Sequence, residues 1–152
     1  LMGWGALEGS LRKQADQVVK GHPASKIVFL KPAKQDELLY WSAGASVGAI
    51  LYEDFGINHR FCTPNKLWEF PASNVPILVT PREEMKAMVR EYGFGEVVEE
   101  PLEPKKIWEA IQTVVDKRLA FIEGGINFLN NNSWENYEVA IVTEYRKLAH
   151  EN

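Results

Sequence analysis

The sequence holds one cysteine, Cys62. No internal disulfide can form, and nothing argues for a secreted, cross-linked fold. No apolar run approaches the roughly 20 residues of a membrane helix. No basic end followed by an apolar block marks a signal peptide at the start. Positive charge is also scarce: 17 Lys and Arg stand against 21 Asp and Glu, a net charge of −4. A broad nucleic-acid footprint needs the opposite balance, so nucleic acid is not an expected partner. There is no internal repeat and no long linker. What is present, 152 residues with 45% hydrophobic and 25% charged side chains, fits one globular domain in the cytoplasm. Leu1-Met2-Gly3 reads as the end of a buried strand rather than as a frayed terminus.

Five segments have strand character: Leu1-Met2-Gly3, 26–30, 47–52, 76–80 and, more weakly, 95–99. Their continuous apolar runs predict strands covered on both faces, as in parallel sheets. Helical spacing fills the intervals. Leu7, Leu11, Ala15, Val18 and Val19 share a face, as do Leu38, Leu39 and Trp41. Met85, Met88 and Val89 form a third stripe; Ile107, Ile111, Val114, Val115 and Leu119 a fourth; Trp134, Tyr137, Ile141, Tyr145 and Leu148 the last. Such stripes predict core-facing helices. Thr80-Pro81-Arg82-Glu83 has the form of a capping box, Thr63-Pro64 opens another helix, and Ser133 caps the last one. Asn130-Asn131-Asn132 reads as a polar break. Alternating strands and helices predict an α/β fold, Rossmann-like, with three α/β/α layers and a mainly parallel sheet of about five strands.

Ligands of open parallel sheets sit outside the carboxyl ends of the strands. Those ends are Gly3-Trp4-Gly5, Leu30-Lys31-Pro32, the segment 52–62 and Thr80-Pro81. Gly3 and Gly5 allow backbone to approach a ligand, or simply make a strand-to-helix turn. The 53–62 segment is long for a strand-to-helix connection, and long ordered loops are often functional. It leads into Thr63-Pro64-Asn65-Lys66-Leu67-Trp68-Glu69-Phe70. Lys66 is a candidate phosphate ligand or a solvated lysine. Glu69 is a candidate acceptor for sugar hydroxyls, or else a surface-exposed carboxylate or one half of an ion pair. Glu53, Asp54 and His59 match no strong metal motif, so no metal is expected. Cys62 has no catalytic partner motif and reads as a buried thiol.

Asn58 to Phe70, Asn-His-Arg-Phe-Cys-Thr-Pro-Asn-Lys-Leu-Trp-Glu-Phe, resembles a segment of the GT-B glycosyltransferases. In one branch of that family, Pro-Asn-Lys-Leu-(aromatic)-Glu-(aromatic) precedes a short helix and then a strand, here 75–80. The passage through Glu83 or Glu84, Met88, Val89 and Glu91-Tyr92-Gly93-Phe94-Gly95 is similar to the family's next stretch, a glutamate, a helix and tyrosine-glycine-x-glycine. Val28-Phe29-Leu30 with Glu37-Leu38 resembles the preceding strand and helix, and Ser133-Trp134-Glu135 the start of the closing helix. The resemblance covers nearly the whole chain and is most specific over 26–95.

The resemblance implies that residues 1–152 are a single, N-terminally truncated donor-binding C-terminal domain of such an enzyme, of the group 1 or family 4 type. The family transfers a sugar from a nucleotide-sugar to a hydroxyl acceptor, as in polysaccharide biosynthesis. The glutamate matching Glu69 would hold the ribose hydroxyls. Asn58, Thr63, Asn65 and Lys66 would lie near the diphosphate and sugar, Leu30 and Lys31 near the nucleobase, and Gly3 and Gly5 on the same cleft. No cofactor is implied, since the nucleotide-sugar is the substrate and helix dipole and basic side chains neutralise its diphosphate without metal. The missing partner is an N-terminal acceptor domain, which supplies the catalytic base, so no catalytic residue is assigned within this chain and the fragment alone is expected to be inactive. Association of the intact enzyme with a membrane surface is a further expectation. Many relatives carry a second glutamate eight positions earlier, where this chain has Phe61. That departure keeps open the alternative of a non-catalytic Rossmann-like interaction or scaffold domain.

Overall fold

The computed structural model describes residues 1–3 and 5–150. The chain divides into two compact units, 1–41 and 42–152, each with its own internal packing.

The first unit carries helix α1 (Glu8–Gly21), a 3-10 turn over Gln35–Glu37 and the first residues of α2 (Leu38–Ala43). The two strand-like segments are present as a single parallel bridge, Met2 with Leu30. The Leu30 N–H donates to the Leu1 carbonyl at 2.8 Å, and the Leu1 ammonium donates to the Val28 carbonyl at 2.8 Å. The pairing is parallel as expected, but Leu1 is 67% exposed, so the segment is not a buried strand. The α1 stripe differs as well: Ala15 is buried, while Leu7, Leu11 and Val18 are exposed. A unit with one long helix and one bridge has too few elements to cover an amphipathic face.

The second unit holds the sheet. Strands β1 (Gly48–Ile50), β2 (Ile77–Val79) and β3 (Gly95–Val97) lie in the order β1-β2-β3, all parallel. Gly48 pairs with Ile77 and Ile77 with Gly95, which fixes the register. The five predicted strands are therefore a three-stranded sheet and, in the first unit, one bridge. The β1–β2 connection contains α3 (Ile57–Arg60) and α4 (Lys66–Ala72); α5 (Glu83–Tyr92) links β2 to β3; α6 (Pro104–Asp116), α7 (Arg118–Asn131) and α8 (Trp134–His150) come after β3.

The core lies on one face of the sheet. Ile50, Ile77 and Val79 meet Leu67 of α4, Met85 and Val89 of α5, Phe94, and Phe128 of α7. Phe128 is the hub: its ring stacks on Phe94 at 4.5 Å and meets Tyr92 at 5.4 Å and Trp68 at 5.5 Å. Leu78, which points the other way by strand alternation, and Val114 of α6 are fully buried outside this cluster. Helix α6 packs on β2 and β3. The three layers are thus α4, α5 and α7, the sheet, and α6.

Helix α7 is an element that periodicity did not predict. Leu119, assigned to the α6 stripe, belongs to it and is 83% exposed. Its Gly124-Gly125 pair lets α7 dock closely. A Cβ on Gly124 would stand 2.2 Å from the Gly93 carbonyl oxygen, and one on Gly125 3.2 Å from Pro71 Cβ. Asn130 and Asn131, expected in a break, are helical, and Asn131 Nδ2 donates to the Asn127 carbonyl at 2.8 Å. The α8 stripe is not core: Trp134, Tyr137, Ile141, Tyr145 and Leu148 are all exposed.

Candidate functional site

The carboxyl ends of β1, β2 and β3 are laced together by polar side chains. Thr80 follows β2 and is fully buried. Its Oγ1 accepts from the Tyr52 N–H at 3.0 Å and donates to the Tyr52 carbonyl at 2.8 Å. The hydroxyl therefore extends the β1–β2 pairing past the strands. It does not cap α5 as the capping-box reading predicts. The residue before α5 is Arg82, which makes no side-chain cap.

Beyond Tyr52 the chain turns at Asp54. The Gly56 N–H donates to Asp54 Oδ1 at 3.2 Å, and Gly56 has φ +138°, a conformation that favours glycine. The turn presents α3, which carries Asn58 exposed on its surface. Asp54 Oδ2 also meets Arg60 Nη2 and Arg82 Nη1, each at 3.4 Å. The Gly56 N–H holds the Asp54 carboxyl below the usual aspartate range, against some desolvation, with Arg60 and Arg82 adding to the effect. His59 sits with its ring edge-on to Phe55 at 5.6 Å and Tyr52 at 6.4 Å. Cys62 is half-buried and its Sγ donates to the His59 carbonyl at 3.2 Å.

Arg82 is the unannounced member of this edge. It is 3% exposed, yet it follows Thr80-Pro81 with nothing in the sequence to mark it. Its Nη2 donates to Glu100 Oε1, on the loop after β3. Its Nε is buried with no partner among the described residues.

Helix α4 begins at Lys66, later than Thr63-Pro64 predicts; Asn65 precedes it without a side-chain cap, and Thr63 is an exposed residue before it. Leu67 and Pro71 are buried and anchor the helix, and Trp68 Nε1 donates to the Asn132 carbonyl at 2.9 Å. Spacing by three places Lys66 and Glu69 on one edge. Lys66 Nζ donates to Glu69 Oε2 at 2.5 Å, with the glutamate side chain 17% and the lysine 45% exposed. Glu69 is therefore held in an ion pair in this structure. Helix α8 begins with Glu135 accepting from its own N–H and from the Ser133 hydroxyl, which hold its carboxyl below the usual range. Ser133 caps through its carbonyl, which accepts the Asn136 N–H at 3.2 Å.

Of the predicted residues, Asn58, Thr63, Asn65, Lys66 and Glu69 fall on one continuous stretch of the second unit, at and after the carboxyl end of β1. Gly3, Gly5, Leu30 and Lys31 belong to the first unit. Gly3 adopts φ +141°, and its N–H donates to the Leu30 carbonyl at 3.5 Å. The Gly5 carbonyl accepts the Glu8 N–H at 3.1 Å, starting α1. Trp4, between them, lies outside the described residues. Lys31 is exposed and Leu30 is bridged to Met2. Among the described residues, no group of three or more His, Cys, Asp or Glu could hold a metal ion, and no helix is long and apolar enough to cross a membrane.

The parallel sheet between helical layers, with its polar strand ends, is a Rossmann-like α/β arrangement. The particular structural likeness is to WaaG, a glycosyltransferase involved in lipopolysaccharide biosynthesis. The match has a TM-score of 0.59 and 15% sequence identity, and it covers 90% of this chain. The chain spans about a third of the length of that protein, 34%. The likeness is one of fold. No protein-family profile matches the chain. No curated protein sequence matches it either.

Proposed function

We propose that this chain is the donor-binding part of a glycosyltransferase that moves a sugar from a nucleotide-sugar to a hydroxyl acceptor. The glycosyltransferase-like fold is consistent with this reading. The observation that carries it is the Lys66–Glu69 pair, set on α4 immediately after the loop at the carboxyl end of β1. A donor presents two chemistries at once: an anionic diphosphate and the vicinal hydroxyls of ribose. Lys66 suits the first and Glu69 the second. In the free protein they satisfy each other. An arriving diphosphate draws the more exposed Lys66 away, and the Glu69 carboxylate is released to accept from the ribose hydroxyls. Asn58, Thr63 and Asn65 lie within reach along the same stretch and are assigned to the diphosphate and sugar.

In the reaction, an acceptor hydroxyl oxygen forms a bond to the anomeric carbon while the bond from that carbon to the diphosphate oxygen breaks. The acceptor proton passes to a base that the rest of the enzyme supplies. This chain contributes orientation of the donor and stabilisation of the leaving nucleoside diphosphate, with Lys66 in place of a metal. It acts in the intact enzyme as a partner to an acceptor-binding domain, in the cytoplasm. Calorimetric titration of this chain with nucleoside diphosphates, followed by the same titration of Glu69→Ala, tests the proposal. Binding that Glu69→Ala leaves unchanged removes the ribose role.

A further inference from the structure

We infer that Arg82 is the positioning residue of the candidate donor site. Through Asp54 it sets the arrangement of the 53–60 loop that carries Asn58 and leads into Lys66 and Glu69. The assignment to a donor rests on the function proposed above; the loop-setting role does not.

The geometry separates this arginine from the surface ion pairs of the chain. The Arg12–Glu8, Arg90–Glu99 and Lys147–Glu144 pairs are all half-exposed or more on at least one partner, whereas the Arg82 side chain is 4% exposed. A buried guanidinium is retained only when its charge is matched and its donors are placed. Here the two matching carboxylates come from different connections: Asp54 after β1 and Glu100 after β3. Arg82 itself follows β2. One planar fork therefore joins the exits of all three strands, a geometry that a lysine point charge cannot reproduce.

Asp54 is the hinge of this arrangement. One carboxylate oxygen receives the Gly56 N–H that forms the turn, and the other receives Arg82 and Arg60. Without Arg82, Asp54 keeps, among the described residues, the Gly56 N–H and Arg60, whose side chain is 57% exposed, and both lie on the same loop. Nothing then ties the loop to the sheet at that point.

The test measures backbone amide exchange by mass spectrometry in the chain as it stands, in Arg82→Lys, Asp54→Asn, their double variant and Glu100→Gln. Arg82→Lys and Asp54→Asn should each speed exchange over 53–61 by at least threefold, while α5 and α7 keep their protection. The double variant should match the single variants rather than multiply their effects, because both break one link. Glu100→Gln should loosen 98–102 and leave 53–61 nearly unchanged. Exchange over 53–61 at the wild-type rate in both Arg82→Lys and Asp54→Asn overturns the inference, as does a general loss of protection in both. A second arm titrates ADP, GDP and UDP. Arg82→Lys, Asp54→Asn and their double variant should bind at least fivefold more weakly than wild type, and Glu100→Gln as wild type does; equal binding in all of them reduces Arg82 to a structural residue. If the wild type binds none of the three, the proposed function fails, and the exchange data still decide the role of Arg82.

Discussion

At the scale of single residues, Glu69 and Lys66 carry the most specific expectations. A hydrogen bond to a charged group contributes about 1.5–3 kcal/mol, so Glu69→Ala should weaken nucleoside diphosphate binding by about 10- to 100-fold. Its effect on folding should be small, because a partly exposed pair contributes about 0–1 kcal/mol, and a thermal melt within a few degrees of wild type checks this. Lys66→Met should weaken nucleoside diphosphates while leaving unphosphorylated nucleosides equal or tighter, since the carboxylate is no longer occupied. Comparing the two ligand classes by NMR titration measures that difference. Loss of both classes in equal proportion would point to a folding defect instead.

Asp54 gives a pH expectation with a definite sign. Its carboxyl is held below the ordinary aspartate value by the Gly56 N–H and by Arg60 and Arg82. A depressed carboxylate contributes stability that is fully present above its unfolded-state value, and loses it as pH falls through the lower folded-state value. The 53–60 loop should therefore keep its amide protection from neutral pH down to the ordinary aspartate range of about 4 and lose it below that. Asp54→Asn should remove this acid transition. An unchanged transition in that variant contradicts the assignment.

At the scale of elements, what was legible and what was not have physical reasons. The segments 47–52 and 76–80 are continuous apolar runs and 95–99 is a weaker, edge-like one with two glutamates; each contains a strand of the sheet, but only the central β2 is buried on both faces, where no alternation is needed, while β1 and β3 are edge strands. Thr80 misleads because Thr-Pro-x-Glu has the form of a helix start, while the hydroxyl is taken by Tyr52 on the neighbouring connection. That partner is far away in sequence, so no local pattern announces it. Arg82 is illegible for the same reason. Its carboxylates lie 28 residues before it and 18 after it, and neither spacing is a motif. Helix α7 escapes notice because its apolar residues do not keep to one narrow face.

The stretch from Asn58 to Glu69 was the most readable part of the site. Its residues are contiguous, so the sequence could group them without knowing the fold. The stripes on α1 and α8 show the limit of periodicity: it reports that a face is apolar, not that anything covers it. The glycine contact of α7 yields a direct test. Gly124→Ala places a methyl group against the Gly93 backbone, which cannot swing aside, and should destabilise the fold by about 1–3 kcal/mol as overpacking does. Chemical denaturation measures it, and an unaffected midpoint would contradict the packing of α7 on the end of α5.

At the scale of the whole molecule, a net charge of −4 and a cation-poor surface are compatible with an anionic ligand. A single diphosphate requires a few placed cations rather than a basic surface. Lys66 is assigned to it in the proposed function, while Arg82 is matched by Asp54 and Glu100 within the strand-end cluster. The fold is glycosyltransferase-like over 90% of the chain, but likeness of fold at 15% identity does not carry a ligand with it. The central claim is therefore that this chain recognises the nucleotide end of a nucleotide-sugar. Calorimetric titration of the chain with ADP, GDP and UDP and with their hexose conjugates tests it most directly. The account predicts saturable binding of at least one diphosphate and its conjugate, with no need for added divalent metal, weakened at least tenfold by Glu69→Ala. Absence of binding by every nucleotide, or binding that Glu69→Ala leaves untouched, would contradict it.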